Sequence, residues 1–138
     1  TKLPVIFHCR DAFQDLLDIT KDKGISAVVH CFTGTLEEAK RCLERGWMIS
    51  LSGIVTFKNS GALRDVAKYV PLDQLLIETD TPYLAPLSKR GKTNEPGYVV
   101  ETAEVIAQVR GISTVDLGAA TAKNAAQFFS FPKHIIDV

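Results

Sequence analysis

Residues 5–46 read VIFHCRDAFQDLLDITKDKGISAVVHCFTGTLEEAKRCLERG, and this stretch decides the fold class because it contains the same unit twice. Val5–Phe7 and Ala27–Val29 are short apolar runs of the kind that form buried strands. Each run is followed by an amphipathic pattern at helical spacing that ends at a glycine, Gly24 or Gly46. The stretch therefore predicts two consecutive strand–helix units.

The same alternation continues to the end of the chain. Further strands are predicted at 47–51 and 75–77, and further helices at 61–70, 98–110 and 113–128. Strands that are apolar throughout favour a parallel sheet buried on both faces, in either a barrel or an open doubly wound sheet. A complete βα-barrel needs about 250 residues. We therefore predict an α/β fold in which residues 1–138 form a single domain, half of a TIM barrel of the (β/α)8 type.

The composition is that of an ordinary globular domain, with 46% hydrophobic and 23% charged residues. No apolar run approaches the roughly 18 to 20 residues that cross a bilayer, and Thr1 does not open a secretory signal. We therefore expect a cytoplasmic protein without a membrane partner. Lys plus Arg equals Asp plus Glu at 16 each, so any phosphate binding must be local.

Cysteine usage excludes two classes of site. The chain has three cysteines, Cys9, Cys31 and Cys42, an odd number without CxxC spacing. Such a pattern argues against a disulfide framework and against a zinc–thiolate site. We expect three buried free thiols.

Residues with metal-binding side chains close three of the predicted strands. His8 and His30 end the first two strands, and Asp80 follows the fourth. In a βα-barrel the reactive residues stand at these carboxyl ends. Neighbouring parallel strands lie about 4.8 Å apart, so His8 and His30 can share one ion, whereas Asp80, two strands further on, needs strong curvature or a second ion. The pattern predicts a two-metal site.

Simpler interpretations exist for each of these residues. A lone histidine at a strand end is commonly a hydrogen-bonded core residue, and Asp80 in the sequence TDTP is typical of an N-cap or an Asx-turn. The repetition of histidine at matching strand positions favours metal binding. Glu78 lies two residues before Asp80 on the same strand face, so it is predicted either to orient a metal ligand or to make a buried ion pair. The third histidine, His134, lies in the C-terminal tail.

Five segments together resemble one known family. They are PVIFHCRDA (4–12), VHCFTG (29–34), SLSG (50–53), ETDTPYLAP (78–86) and RGKTNEP (90–96). In this order and spacing they closely resemble the TatD-type metal-dependent DNases, and the resemblance covers nearly the whole chain. It implies that the chain supplies about the last four βα units of the barrel plus the C-terminal helices.

The resemblance also implies a chemistry. His8 and His30 look like two ligands of one metal, while Asp80 looks like the aspartate that binds the other metal and handles the proton of the attacking water. The implied reaction is phosphodiester hydrolysis in DNA, of the exonuclease type, at single-stranded ends. The implied cofactors are two divalent ions, Mg, Mn or Zn, which lower the pKa of water and polarise the phosphoryl oxygen.

The chain departs from the family pattern before His8, where it has no His-x-His and no Gly-Glu-x-Gly-Leu-Asp segment. The resemblance implies that these segments carry two more histidines and the glutamate that bridges the ions. We therefore expect the 138 residues alone to bind at most a single metal weakly and to hydrolyse substrate weakly or not at all.

Substrate contacts are predicted in the connecting loops. Arg10 and Arg90 are candidates for phosphate binding, and Phe32 and Tyr83 are candidates for stacking on a base at a frayed strand end. Nearby lysines, Lys58, Lys89 and Lys92, add positive charge, although a solvated charged loop would carry the same residues.

Two other functions remain open at this stage. The same barrel and metals could hydrolyse amides, esters or small phosphodiesters, because fold alone does not define the substrate. Alternatively, the chain could be an inactive half-barrel whose exposed sheet edges pair with a second copy or with the missing N-terminal half.

Overall fold

Parallel strands form one sheet in the computed structural model, which describes residues 3–132. The strands are β1 (Val5–His8), β2 (Ala27–His30), β3 (Met48–Leu51) and β4 (Leu75–Ile77). Their order in the sheet, β1-β2-β3-β4, is their order in the chain. A doubly wound sheet reverses its strand order at a switch point, whereas a barrel does not. The sequential order confirms the prediction of part of a βα-barrel.

Helices connect the strands and finish the described chain. They are α1 (Phe13–Ile19), α2 (Leu36–Glu44), α3 (Gly61–Tyr69), α4 (Val99–Arg110) and α5 (Thr114–Phe128). None of these helices, all within residues 3–132, is long and apolar enough to span a bilayer. Helix α1 is shorter than its sequence pattern because Asp11 and Asp22 on either side adopt left-handed backbone angles, with φ of 53° and 60°. His134 lies outside the described residues.

The main core lies between the sheet and one layer of helices. Alternate strand residues such as Val29, Ile49 and Leu75 point into this layer and are fully buried. The helices contribute the other side of the core, which includes Phe13, Leu17, Ala39, Cys42, Leu63, Val66, Ala67, Ala103, Ile106 and Ala107. Burial of this apolar surface is the main favourable term for the fold. This layer of helices does not cover the opposite face of the sheet.

The opposite, inner face is covered only in part. Val28, Met48 and Leu76 form a second buried cluster, against which the end of α5 packs Ala125, Phe128 and Phe129. Strand β1 contributes no residue to this cluster, and Ile6 on its inner face is 58% exposed. The expectation that every strand is buried on both faces is therefore wrong for β1, because the cluster with the end of α5 covers β2, β3 and β4 but not this edge strand.

Helix α5 is held against the sheet by one buried amide. The side-chain nitrogen of Asn124, which is 7% exposed, donates to the backbone oxygen of Leu72 at 2.7 Å and to that of Leu75 at 2.9 Å. The Leu72 carbonyl precedes β4, and Leu75 is the first residue of that strand. Asn124 thus links α5 to the start of β4.

We expect Asn124→Ala to lower the free energy of unfolding by about 2 kcal/mol or more, since two carbonyls lose a donor in a buried site. Gln127→Ala is the matched control because Gln127 is an exposed amide on the same helix, and it should change stability by less than about 0.5 kcal/mol. Urea denaturation of both variants measures the difference. Equal losses would contradict the role given to Asn124.

The three thiols are free and buried, as the sequence predicts. Burial raises the pKa of Cys9 and Cys31 above the ordinary value of 9.0. Burial raises the pKa of Cys42, which is 0% exposed, to about 12. All three thiols are therefore protonated at neutral pH.

Cys42 makes stability depend on alkaline pH. In the unfolded chain this thiol loses its proton near 9.0, whereas in the folded chain it keeps it to about 12. Its contribution is therefore fully present below pH 9.0 and falls as pH rises through that window. We expect the difference in unfolding free energy between the wild type and Cys42→Ala to shrink from pH 8 to 11, measured by urea denaturation. A difference independent of pH would contradict the assigned shift.

Candidate metal site

Two histidines meet at the carboxyl end of the sheet. The parallel register pairs β1 with β2 so that His8 lies directly opposite His30. Their rings are 5.2 Å apart between centroids, and Nδ1 of His8 lies 3.0 Å from Nε2 of His30. Both side chains are on the inner face, since they alternate with the helix-facing Phe7 and Val29. The register therefore brings together the two residues predicted as ligands of one ion.

Glu78 fixes the orientation of His30. Its Oε1 lies 3.1 Å from Nδ1 of His30 and accepts the backbone N–H of Cys31 at 2.8 Å. Its Oε2 accepts the Ser50 hydroxyl at 2.5 Å. A carboxylate at Nδ1 holds the proton there, so the Nε2 lone pair of His30 points toward His8. Glu78 thus contacts His30, the contact that either of its two predicted roles requires.

The donor set suits a divalent ion. Two nitrogens that each bind one ion at about 2.1 Å lie roughly 3.0 to 3.4 Å apart, depending on the angle at the ion. The observed 3.0 Å between His8 Nδ1 and His30 Nε2 falls in this range. Both atoms can offer a lone pair when His8 carries its proton on Nε2 and His30 on Nδ1. These two imidazoles fit a metal that prefers nitrogen ligands.

Asp80 lies across a cavity from this pair. A cavity of about 520 Å³ is lined by both His8 and Asp80. Within residues 3–132, no three His, Cys, Asp or Glu side chains are close enough to hold one ion, so Asp80 does not join the histidines in a single cluster. This agrees with its position two strands beyond His30.

The local contacts of Asp80 do not match a capping role. In the described chain its backbone oxygen accepts the N–H of Tyr83 at 2.8 Å, while its carboxylate accepts no hydrogen bond from a neighbouring backbone group. An N-cap or Asx-turn aspartate would use its side chain for such a bond. The carboxylate is therefore available to the cavity.

Three of the four predicted substrate residues lie at two exposed locations. Arg10 and Tyr83 are exposed and line the same cavity as His8 and Asp80. Arg90 lies elsewhere, with its guanidinium 4.7 Å from the ring centre of Phe57, beside Lys58 in a separate cavity of about 340 Å³. Both locations are exposed to solvent.

Phe32 does not belong to the site. Its side chain is 1% exposed and its ring packs against Phe13 with centroids 5.1 Å apart. The prediction that Phe32 stacks on a base is therefore wrong, because the chain turns after His30 and directs this ring into the helix layer. The turn is marked by the left-handed backbone of Cys31, with φ of 45°.

The loop that carries Asp80 and Tyr83 is held from two sides. Buried Asn94 donates to the Tyr83 carbonyl at 2.7 Å, and its own N–H donates to Pro82 at 3.0 Å. On the other side, Gly53 lies so close that a Cβ atom there would approach the Leu84 carbonyl oxygen to 2.6 Å. The glycine of the SLSG segment thus provides room for this loop.

Comparison with known proteins identifies the family. A family model described as TatD related DNase matches residues 1–130. The chain belongs to this family. The result confirms the resemblance that the five sequence segments carry.

Relatives support the assignment at the level of sequence and structure. The chain is 48% identical over 129 residues to the uncharacterized metal-dependent hydrolase YcfH of Escherichia coli K12, covering 91% of this chain and 49% of YcfH. It is 46% identical over 136 residues to the 3'-5' ssDNA/RNA exonuclease TatD of Citrobacter rodentium, covering 93% of this chain and 52% of that protein. The chain thus spans about half the length of the curated relatives it matches.

A solved structure extends the agreement to three dimensions. The TatD homologue YJJV of Escherichia coli K12 superposes with a TM-score of 0.86 at 30% identity, covering 94% of this chain and 51% of that one. Such structural relatives are TIM-barrel hydrolases. The α/β architecture predicted from the sequence is confirmed.

We expect Gly53→Ala to displace the loop of Asp80 and Tyr83, because a methyl group at 2.6 Å from the Leu84 oxygen forces the backbone to move. The cost should be about 1 to 3 kcal/mol of unfolding free energy. Gly61→Ala is the matched control, since a Cβ there meets nothing within 4 Å at the start of α3. That variant should be neutral or slightly stabilising, and urea denaturation compares the two. If both glycines tolerate alanine equally, the loop does not depend on Gly53.

Proposed function

We propose that this chain forms the C-terminal half of a metal-dependent nuclease that hydrolyses phosphodiester bonds in DNA from single-stranded ends. The observation that carries the proposal is the pair of imidazole nitrogens 3.0 Å apart, in which Glu78 orients His30 and His8 lines a cavity of about 520 Å³ together with Asp80. The choice of substrate is supported by the family and by the relative named an exonuclease. Hydrolysis of amides or esters is the alternative that the test below addresses.

The residues at the cavity have distinct tasks in this proposal. A bound divalent ion lowers the pKa of water and polarises the phosphoryl oxygen. His8 and His30 would hold one such ion through Nδ1 and Nε2, which requires that both atoms be free of protons. Asp80, whose carboxylate has no backbone partner in the described chain, would hold the second ion and would accept a proton from the attacking water at a carboxylate oxygen.

Substrate is held by the exposed loop residues. We assign Arg10, which lines the same cavity as His8, to binding a phosphate, and the Tyr83 ring, which is 70% exposed, to stacking on a terminal base. Arg90 and Lys58 lie in a separate cavity, so we assign them to a phosphate further along the strand. The stacking of Arg90 on Phe57 fixes its planar donors for such a contact.

We further propose that the other half of the family's barrel packs against β1. Strand β1 has a single neighbour in the sheet, and Leu3, Val5 and Ile6 are 75%, 37% and 58% exposed. Parallel sheets are stable when both faces and edges are covered. The curated relatives are about twice as long as this chain, which is the length that such a partner requires.

Substitution at Asp80 tests the proposed reaction. In the complete barrel with manganese, we expect Asp80→Asn to slow release of nucleotides from a labelled single-stranded oligonucleotide by about 10²- to 10⁴-fold, since a group that moves a proton is lost. Asp73→Asn is the matched control, because Asp73 is an exposed carboxylate just before β4 whereas Asp80 follows it. That variant should retain full activity.

A nitrophenyl ester in the same assay separates the two classes of hydrolase. Hydrolysis of the ester but not of the oligonucleotide would overturn the nuclease proposal in favour of the ester or amide alternative. Equal activity of Asp80→Asn and the wild type on the oligonucleotide would overturn the role of Asp80.

A further inference from the structure

We propose that Ser50 is a positioning residue for the metal site, acting through Glu78 on the ring of His30. This inference rests on the proposed metal-binding function of His8 and His30. Ser50 opens the SLSG segment, but its contact with Glu78 does not follow from that segment, because Ser50 stands in the middle of a strand and carries no charge. The inference follows from the position of Ser50 on the sheet and from its one side-chain contact, the hydrogen bond to Glu78.

Ser50 is a buried polar residue with one partner among the side chains. It is 2% exposed and lies on the inner face of β3, since Ile49 and Leu51 on either side point into the helix layer. Its hydroxyl donates to Oε2 of Glu78 at 2.5 Å. A buried hydroxyl that is retained among apolar neighbours needs a hydrogen bond to offset the loss of water. The buried Ser50 hydroxyl therefore needs the Glu78 carboxylate as its acceptor, and the orientation of that carboxylate depends on the Ser50 hydroxyl.

The Glu78 carboxylate is held at both of its oxygens. Oε2 takes the Ser50 hydroxyl, while Oε1 takes the Cys31 backbone N–H at 2.8 Å and faces Nδ1 of His30 at 3.1 Å. Three groups, two from the end of β2 and one from β3, thus fix the plane of one carboxylate. Without the Ser50 hydrogen bond, the carboxylate can rotate about its Cγ–Cδ bond, because Oε2 has no other hydrogen-bond partner in the described chain.

The orientation of Glu78 decides which nitrogen of His30 is free. Neutral imidazole carries one proton, and a carboxylate fixed at Nδ1 keeps the proton on that atom. The lone pair then lies on Nε2, the atom 3.0 Å from Nδ1 of His8. Rotation of the carboxylate would let the proton move to Nε2 in part of the molecules and remove that lone pair. Ser50 thus preorganises His30 before any ion binds.

A purely structural role for Ser50 makes a different prediction. If the hydroxyl merely joins β3 to β4, its loss lowers stability and leaves the His30 ring unchanged. If it positions the ring, its loss changes the tautomer of His30 even in the absence of metal. The two roles are separated by a spectroscopic measurement on the metal-free protein.

The test compares Ser50→Ala with Ser52→Ala. Ser52 is the matched control because it is also buried, at 3% exposure, and its hydroxyl contacts Cys31 Sγ at 3.2 Å instead of Glu78. Nitrogen-15 NMR of the ring nitrogens at alkaline pH, where free imidazole is neutral, reports the tautomer. Titration calorimetry with manganese then reports affinity. We expect mixed tautomers of His30 and about a 10-fold weaker affinity for Ser50→Ala, and the wild-type pattern for Ser52→Ala.

Glu78→Gln is a second variant that keeps the shape of the side chain. Its amide still accepts at one atom but cannot accept from both His30 and Ser50, so it should shift the tautomer as Ser50→Ala does. A wild-type tautomer in folded Ser50→Ala would overturn the inference. Absence of manganese binding by the wild-type complete barrel would instead overturn the proposed function, while the tautomer measurement would still decide the role of Ser50.

Discussion

The parallel register of β1 with β2 is the constraint on which the rest of the site depends. It sets His8 opposite His30, and because side chains alternate along a strand, both imidazoles point to the same face. A slip of one residue would turn one ring into the helix layer and destroy the pair. The register is itself held by Val29 and Ala27, which are fully buried against the helices. The apolar residues of the core therefore determine the distance between two polar atoms outside it.

The strands, helices and their order could be predicted from the sequence because their signals are local. Apolar runs, glycines at helix ends and a regular repeat length are each read within one unit, and the structure confirms them. The exposure of Ile6 and the burial of Phe32 could not be predicted in this way. The first depends on which strand lies at the sheet edge, and the second on a left-handed turn at Cys31, and neither follows from periodicity.

The residues of the site also divide into those that local sequence signals predict and those that depend on contacts between strands. Position at strand ends was enough to select His8, His30 and Asp80, because parallel strands bring their carboxyl ends to one edge of the sheet. The contact between Ser50 and Glu78 was missed, since it joins different strands through a stagger that the sequence does not encode locally. One signal was present: Ser50 and Glu78 are polar residues at inner-face positions of otherwise apolar strands. A polar residue in such a place requires a partner, and each is the other's partner.

The hydrogen bonds around Glu78 contribute more to the orientation of the His30 ring than to the stability of the fold. The side chains of His30 and Glu78 are 26% and 23% exposed, so water screens their attraction and limits its contribution to folding. Water weakens this attraction, but it does not fix the orientation of the carboxylate or of the His30 ring. A carboxylate held by a hydroxyl on one oxygen and a backbone N–H on the other presents a fixed acceptor to His30, and the ring has one orientation that satisfies it. The stable part of the fold thus lies in the apolar layer behind the sheet, while the partly exposed polar row in front of it provides the orientation that a metal ligand needs.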